Sequence, residues 1–241
     1  MDAKEVLQLA IEKYKPDPQR MYLTGHSMGG HGTWQVGATF PGYWAAIGPS
    51  AGWYSFWSYG GKSQGEEDDE IAKLIKQSTL PSNTIGLSRN YLQYGVYVLH
   101  GDKDDNVPVE QARFMREHLG KFHADFTYYE RTEAGHWWGN ECVDWPQMFD
   151  FFKTHERLPD SKVKRMEFFT ASPGISSHSG MLNILQQTEQ LKISSVRYNH
   201  DLKQKKIKVR LENTSRFMLD FSSFKKNQPY ELSLDSTDFK I

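Results

Sequence analysis

The stretch RMYLTGHSMGGHGTW, residues 20–34, decides how the chain is read. Met21, Tyr22 and Leu23 form a short β-prone run behind a charged boundary. Gly25-His26-Ser27-Met28-Gly29 follows, and the segment through Trp34, Gln35 and Val36 can continue as a helix. Strand, sharp turn and helix are the context of a G-x-S-x-G elbow, which holds its serine in a strained backbone conformation with the hydroxyl clear of the sheet. Such a turn needs small neighbours so that strand and helix can close around it, and Gly25, Gly29 and Gly30 are expected to supply them. The pentapeptide alone is a weak signal, because Gly and Ser are both common. If Ser27 is a nucleophile, the backbone N–H of Met28 is the expected oxyanion donor, since the first turn of a helix presents unpaired donors and the positive end of its dipole.

Working outward, strands and helices alternate. An amphipathic helix with Val6, Leu7, Leu9, Ala10, Ile11 and Tyr14 at helical spacing precedes the strand at 20–24. A helix is expected over about 28–39 and a short strand within WAAIGPSAGW, 44–53. GVYVLHGD, 95–102, reads as a buried strand, VEQARFMREHL as an amphipathic helix, DFTYYERTEAGH as a strand entering a loop, and WPQMFDFFKTH as a closing helix with Pro146 in its first turn. This order predicts an α/β fold with a parallel sheet and flanking helices. Residues 54–94 show no strand pattern; they hold the acidic run EEDDE and a short helical stretch, IAKLIKQ.

From about residue 160 the character changes to β-prone runs (KRMEFFTA, MLNILQQT, ISSVRYN, KKIKVRL, RFMLDF, YELSLDS) separated by turn clusters such as SPGISSHSG. The division expected is 1–158, a partial catalytic domain, and 159–241, a small all-β module. Charge divides similarly: −6 over residues 1–159 and +5 over 160–241, within a net of −1 for the 241 residues. That balance gives no general drive toward nucleic acid. In LKQKKIKVR, 202–210, cationic residues alternate with Ile207 and Val209, as on the solvated face of a hairpin strand. The single cysteine, Cys142, excludes an internal disulfide framework and is read as structural. No apolar run is long enough to span a membrane, and the first residues lack the features of a signal peptide.

A serine hydroxyl needs a base to take its proton and an acid to hold that base. The strand at 95–100 empties into HGDKDDNVP, which offers Asp102, Asp104 and Asp105; the next empties into EAGHWWG, which offers His136. All three loops follow parallel strands and so share one edge of the sheet. Spacing does not choose among the three aspartates. WYSFWSY, 53–59, and the pair Trp137-Trp138 set aromatics near strand ends; Trp53, Trp57 and Trp137 are candidate walls of a substrate pocket. His26 and His31 flank the serine, but no third ligand with recognised spacing accompanies them, so no metal and no cofactor is expected.

Taken together, GHSMGG, HGDKDDNVPVEQAR and EAGHWWG resemble the α/β-hydrolase fold, specifically the prolyl-oligopeptidase-like serine peptidases and related carboxylesterases, over residues 2–156. The region from GHWWG through EFFTASPGISS is similar to an exported bacterial branch with a C-terminal β extension. The resemblance implies Ser27 as nucleophile, His136 as base and Asp104 as triad acid, with Asp102 the second choice. It implies a peptide or acyl-ester substrate handled through an acyl-enzyme. The alternatives are an esterase acting on carbohydrate-linked or feruloyl esters, or a non-catalytic carbohydrate- or protein-binding fragment. It also implies that the nucleophile strand is preceded by others, so that the sheet is expected to lack its first strands and the chain to be part of a longer, exported protein. The oligomeric state is not legible.

Overall fold

The computed structural model describes residues 3–59, 70–226, 228–235 and 237–240. Helix α1 spans Ala3–Tyr14, β1 Tyr22–His26, α2 Met28–Thr39 and β2 Ala46–Ser50. Helix α3, Glu70–Ser78, contains the expected IAKLIKQ turn, while most of the acidic run before it lies outside the described residues. Strand β3 covers Gly95–Gly101, α4 Glu110–Gly120, β4 Phe126–Arg131 and α5 Pro146–Lys153.

The four strands pair in parallel in the order β1-β2-β3-β4. All seven residues of β3 are buried, as a central parallel strand with both faces covered requires. Period-two alternation sends Ile47, Val96 and Val98 to one face, against Trp34 and Ala38 of α2 and Ala112, Met115 and Leu119 of α4. Ala46, Tyr97 and Leu99 go to the other face, against Trp145 and Met148 and Phe152 of α5. Because the strands are parallel, His26, Ser50, Gly101 and Arg131 end at the same edge, and the loops that follow them meet there.

Helix α1 departs from its amphipathic pattern. Leu7 packs against the sheet core, but no residue of the helix is fully buried, and Val6, Leu9 and Tyr14 are more than half exposed.

Beyond α5 the chain is β-structure. Strands β5 (Arg165–Thr170), β6 (His178–Ser179), β7 (Leu182–Gln187), β8 (Ser194–Asp201), β9 (Lys206–Glu212), β10 (Thr214–Leu219), β11 (Glu231–Leu234) and β12 (Thr237–Lys240) form two sheets. Their orders are β10-β7-β6 and β12-β11-β9-β8-β5. Phe168, Met181, Leu182, Ile184, Val196, Tyr198, Ile207, Val209 and Phe224 form their shared core. In β9, paired with β8 as a hairpin, Ile207 and Val209 turn inward and Lys208 and Arg210 outward, which explains the basic run. The two-residue strand β6 lies inside the SPGISSHSG cluster, where turn composition hides it.

A 3-10 segment, Ser88–Gln93, joins this β-structure to the parallel sheet. The buried Asn90 amide donates to Ala38 O at the end of α2 (2.7 Å) and to Phe169 O in β5 (2.8 Å), and its Oδ1 accepts the Phe169 N–H (2.8 Å). Gln93 donates to Glu167 O at 2.7 Å, and Arg89 forks onto the Glu167 carboxylate at 3.0 and 3.2 Å. The Phe169 ring completes the clasp by packing into the core of the parallel sheet.

Candidate active site

At the end of β1 the backbone breaks sharply. Ser27 has φ 58° and ψ −116°, outside every well that a residue with a side chain occupies cheaply. Bonds on both sides hold it there: Ser27 N–H donates to Ser50 O and Ser27 O accepts the His31 N–H, each at 3.0 Å. Close packing around the turn depends on glycine. A Cβ on Gly25 would stand 2.5 Å from Gly29 O, one on Gly30 would stand 2.2 Å from Ser50 O, and one on Gly52 would stand 2.2 Å from Gly30 C. The expectation for Gly29 is corrected: apart from its own stretch of helix backbone, no heavy atom lies within 4 Å of its would-be Cβ. The third close approach belongs to Gly52, two residues beyond β2 and far outside the pentapeptide.

The loops after β3 and β4 are tied to each other. Asp102 N–H donates to Arg131 O (3.0 Å) and Lys103 N–H to Ala134 O (2.9 Å). Within the first loop, Asp104 Oδ1 accepts the N–H groups of Asn106 (3.0 Å) and Val107 (2.8 Å), which fixes the carboxylate before any partner arrives. His136 Nδ1 lies 3.0 and 2.9 Å from Asp104 Oδ1 and Oδ2, and its Nε2 lies 2.9 Å from Ser27 Oγ. Three side chains from three strand ends thus form one unbroken chain. Burial alone would push the Asp104 carboxyl up, but hydrogen bonds from His100, His136 and the two backbone donors outweigh it and hold the group far below the usual carboxylate range. A charged Asp104 accepts only, so Nδ1 of His136 carries the hydrogen and Nε2 is free to accept from Ser27. Asp102 takes no part: its Oδ1 is buried without a hydrogen-bond partner among the described residues.

Met28 opens α2, so its N–H is among the first-turn donors that an α-helix leaves unpaired. Met28 is 76% exposed, and Trp137, next to His136, is 69% exposed. Trp137 packs against the rings of His136 (5.0 Å between centroids) and His26 (4.5 Å). Trp53 is stacked between His31 (4.7 Å) and Tyr59 (4.3 Å), one turn of α2 beyond the serine. Trp57 is not brought into that stack; its ring meets Phe56 edge-on at 5.2 Å. His26 and His31 are engaged separately, His26 Nδ1 with Ser50 Oγ at 3.2 Å and His31 Nδ1 with Trp53 O at 3.0 Å. No group of three or more His, Cys, Asp or Glu suited to a metal occurs among the described residues. Burial, reinforced by His136 beside it, pushes the His26 imidazole down from its ordinary value.

The residue reading missed Tyr59 and His100. The Tyr59 hydroxyl reaches Asn106 Oδ1 at 3.3 Å, tying the aromatic stack to the loop that carries Asp104. Its position in WYSFWSY was visible, but not which ring of that run faces the acid. His100 heads the HGDKDDNVP stretch, but at the end of an apolar strand its type does not show whether its ring packs in the core or reaches the acid.

A parallel sheet flanked by helices, with a serine on a strained strand-to-helix turn and a histidine and aspartate on later strand ends, defines an α/β-hydrolase fold. The family model of the prolyl oligopeptidases matches residues 1–157, and the chain belongs to that family. It is 25% identical over 225 residues to an uncharacterized secreted protein of Arthroderma benhamiae, a match covering 91% of this chain and 24% of the relative. The chain therefore spans about a quarter of that curated relative's length. Among solved structures it is similar to a thermostable esterase (22% identity, 64% of this chain and 36% of the other, TM-score 0.45). It is also similar to the Pyrococcus horikoshii acylaminoacyl peptidase (14% identity, 62% and 26%, TM-score 0.48).

Proposed function

We propose that the chain carries the catalytic triad of a serine hydrolase acting on peptide bonds. The observation that carries this reading is the continuous hydrogen-bonded path from Ser27 Oγ through His136 to Asp104. Ser27 Oγ attacks the carbonyl carbon while His136 Nε2 takes its proton; Asp104 orients the imidazole and stabilises the imidazolium that forms. The N–H of Met28 donates to the developing oxyanion at the N-terminus of α2. His136 then returns the proton to the leaving group, and water, activated by the same imidazole, hydrolyses the acyl-enzyme. The exposed side chains of Met28 and Trp137 flank the serine and give the substrate an apolar rim, with the Trp53–Tyr59 stack as its further wall.

Peptide over ester rests on the family, since the triad itself treats both leaving groups alike. Export of the protein is proposed on the secreted relative. The test is a fluorophosphonate probe on the full-length protein, followed by a comparison of a prolyl or alanyl peptide amide with p-nitrophenyl acetate and methyl ferulate. Labelling that is lost in Ser27→Ala, with turnover of the peptide amide, is expected. Labelling that persists in Ser27→Ala sinks the assignment, and turnover confined to the esters replaces peptidase by carboxylesterase.

A further inference from the structure

Directly behind the acid stands a histidine that the proposed triad does not use. His100, in β3, is 1% exposed. Its Nε2 lies 2.9 Å from Val107 O and 3.2 Å from Asp104 Oδ2. Val107 O only accepts, so Nε2 carries the hydrogen and donates it there, and Asp104 Oδ2 lies beside that same N–H. Asp104 Oδ2 therefore lies between two imidazoles, His136 at 2.9 Å and His100 at 3.2 Å, while Oδ1 is occupied by the two backbone donors. A buried N–H dipole held 3.2 Å from the oxygen that faces His136 does two things. It fixes the rotation of the carboxylate, and it draws off part of the charge that would otherwise pull on the His136 proton.

We propose that His100 is a positioning residue that sets the orientation and the basicity of Asp104, and through it the pH at which His136 can accept the serine proton. The proposal rests on the serine hydrolase reading above. The other ionisable groups facing this cluster are few. His26, at the end of β1, has its ring 4.9 Å from that of His136. Glu130, the register partner of His100 on β4, is engaged by Arg113 of α4 at 2.5 Å and by the Tyr128 hydroxyl. Asp102 and Asp105 flank Asp104 in its own loop, and Glu133 of the histidine loop pairs with Lys103. None of them is seen with an N–H against Asp104 Oδ2, so none substitutes for His100.

The experiment compares wild type, His100→Leu and His100→Gln in the full-length protein. Glutamine keeps an N–H at nearly the same reach; leucine keeps only bulk. Two readouts are taken: the pH dependence of the rate at which a fluorophosphonate labels Ser27, and the low-field proton NMR resonance of the Asp104–His136 hydrogen bond. In His100→Leu, labelling should slow by about tenfold or more, its acid limb should move up by about 0.5 to 1 pH unit, and the resonance should move downfield. His100→Gln should return all three most of the way. A merely structural role predicts a smaller labelled fraction with the limb and the resonance unmoved, and glutamine no better than leucine; either result overturns the proposal. If the wild type is not labelled at all, the serine hydrolase reading fails, while the resonance still decides the role of His100. Absence of that resonance from the wild-type spectrum also overturns it.

Discussion

Replacing Asp104 by asparagine tests the site at its most constrained atom. The side chain keeps its shape, and the Asn106 and Val107 N–H groups, 3.0 and 2.8 Å from Oδ1, will hold the amide oxygen on their side. The amide nitrogen must then replace Oδ2, which faces His136 Nδ1 at 2.9 Å and His100 Nε2 at 3.2 Å. An NH₂ group there donates where the carboxylate accepted, so His136 is driven to the tautomer with its hydrogen on Nε2. That nitrogen, 2.9 Å from Ser27 Oγ, can no longer accept the serine proton. The imidazolium also loses its counter-charge. Together these effects should slow acylation about 10⁴-fold, a barrier increase of about 5.4 kcal/mol. The assay is the second-order rate of fluorophosphonate labelling, with circular dichroism confirming that the variant is folded. A rate within tenfold of wild type in a folded Asp104→Asn protein would refute the reasoning.

Two further outcomes follow from the same contacts. Gly30→Ala should abolish labelling and lower the melting temperature, because its methyl meets Ser50 O, a backbone atom that also holds Ser27 N–H. Gly29→Ala, in open space on α2, should be tolerated and should gain up to about 1 kcal/mol in helix propensity, read by thermal denaturation. In the β-structure, His200 is buried with both ring nitrogens unpartnered among the described residues, and burial depresses its imidazole below the ordinary value. The unfolded chain therefore takes up a proton near pH 6.5 that the folded state resists. Stability from this group is complete above that pH and falls away below it, by up to about 1.4 kcal/mol per pH unit. His200→Phe, placed among Phe224, Tyr230 and Tyr198, should flatten denaturation midpoints between pH 7.5 and 5.5 by that share; an unchanged slope contradicts the account.

Much of this geometry was legible before any coordinates, for a specific reason. Parallel strands must begin and end together, so side chains just past three successive strands share an edge, and Ser27, Asp104 and His136 could be gathered from periodicity and punctuation. Choosing Asp104 from three aspartates required the family resemblance, because the turn that turns its carboxylate onto His136 depends on backbone donors with no residue signature. Glycine was legible as a class but not by position: Gly29 and Gly30 are alike in the sequence, and only the approach of Gly52 and Ser50 separates them. His100 was hidden because a buried strand and a buried hydrogen bond look the same in one dimension. The strand β6 and the 3-10 clasp at Ser88–Gln93 escaped because their order comes from distant partners, not from local pattern.

That clasp ties the two halves together where the chain changes character. Asn90 is dowelled into both halves, its amide bonded to the tail of the helix that begins just after Ser27 and to both polar groups of Phe169. Cutting the chain between α5 and β5 and pulling the pieces apart would strand a buried amide and bare the Phe169 socket. Heat should therefore melt the β-structure and the parallel sheet in one event, making the β-rich tail a buttress of the serine's own helix.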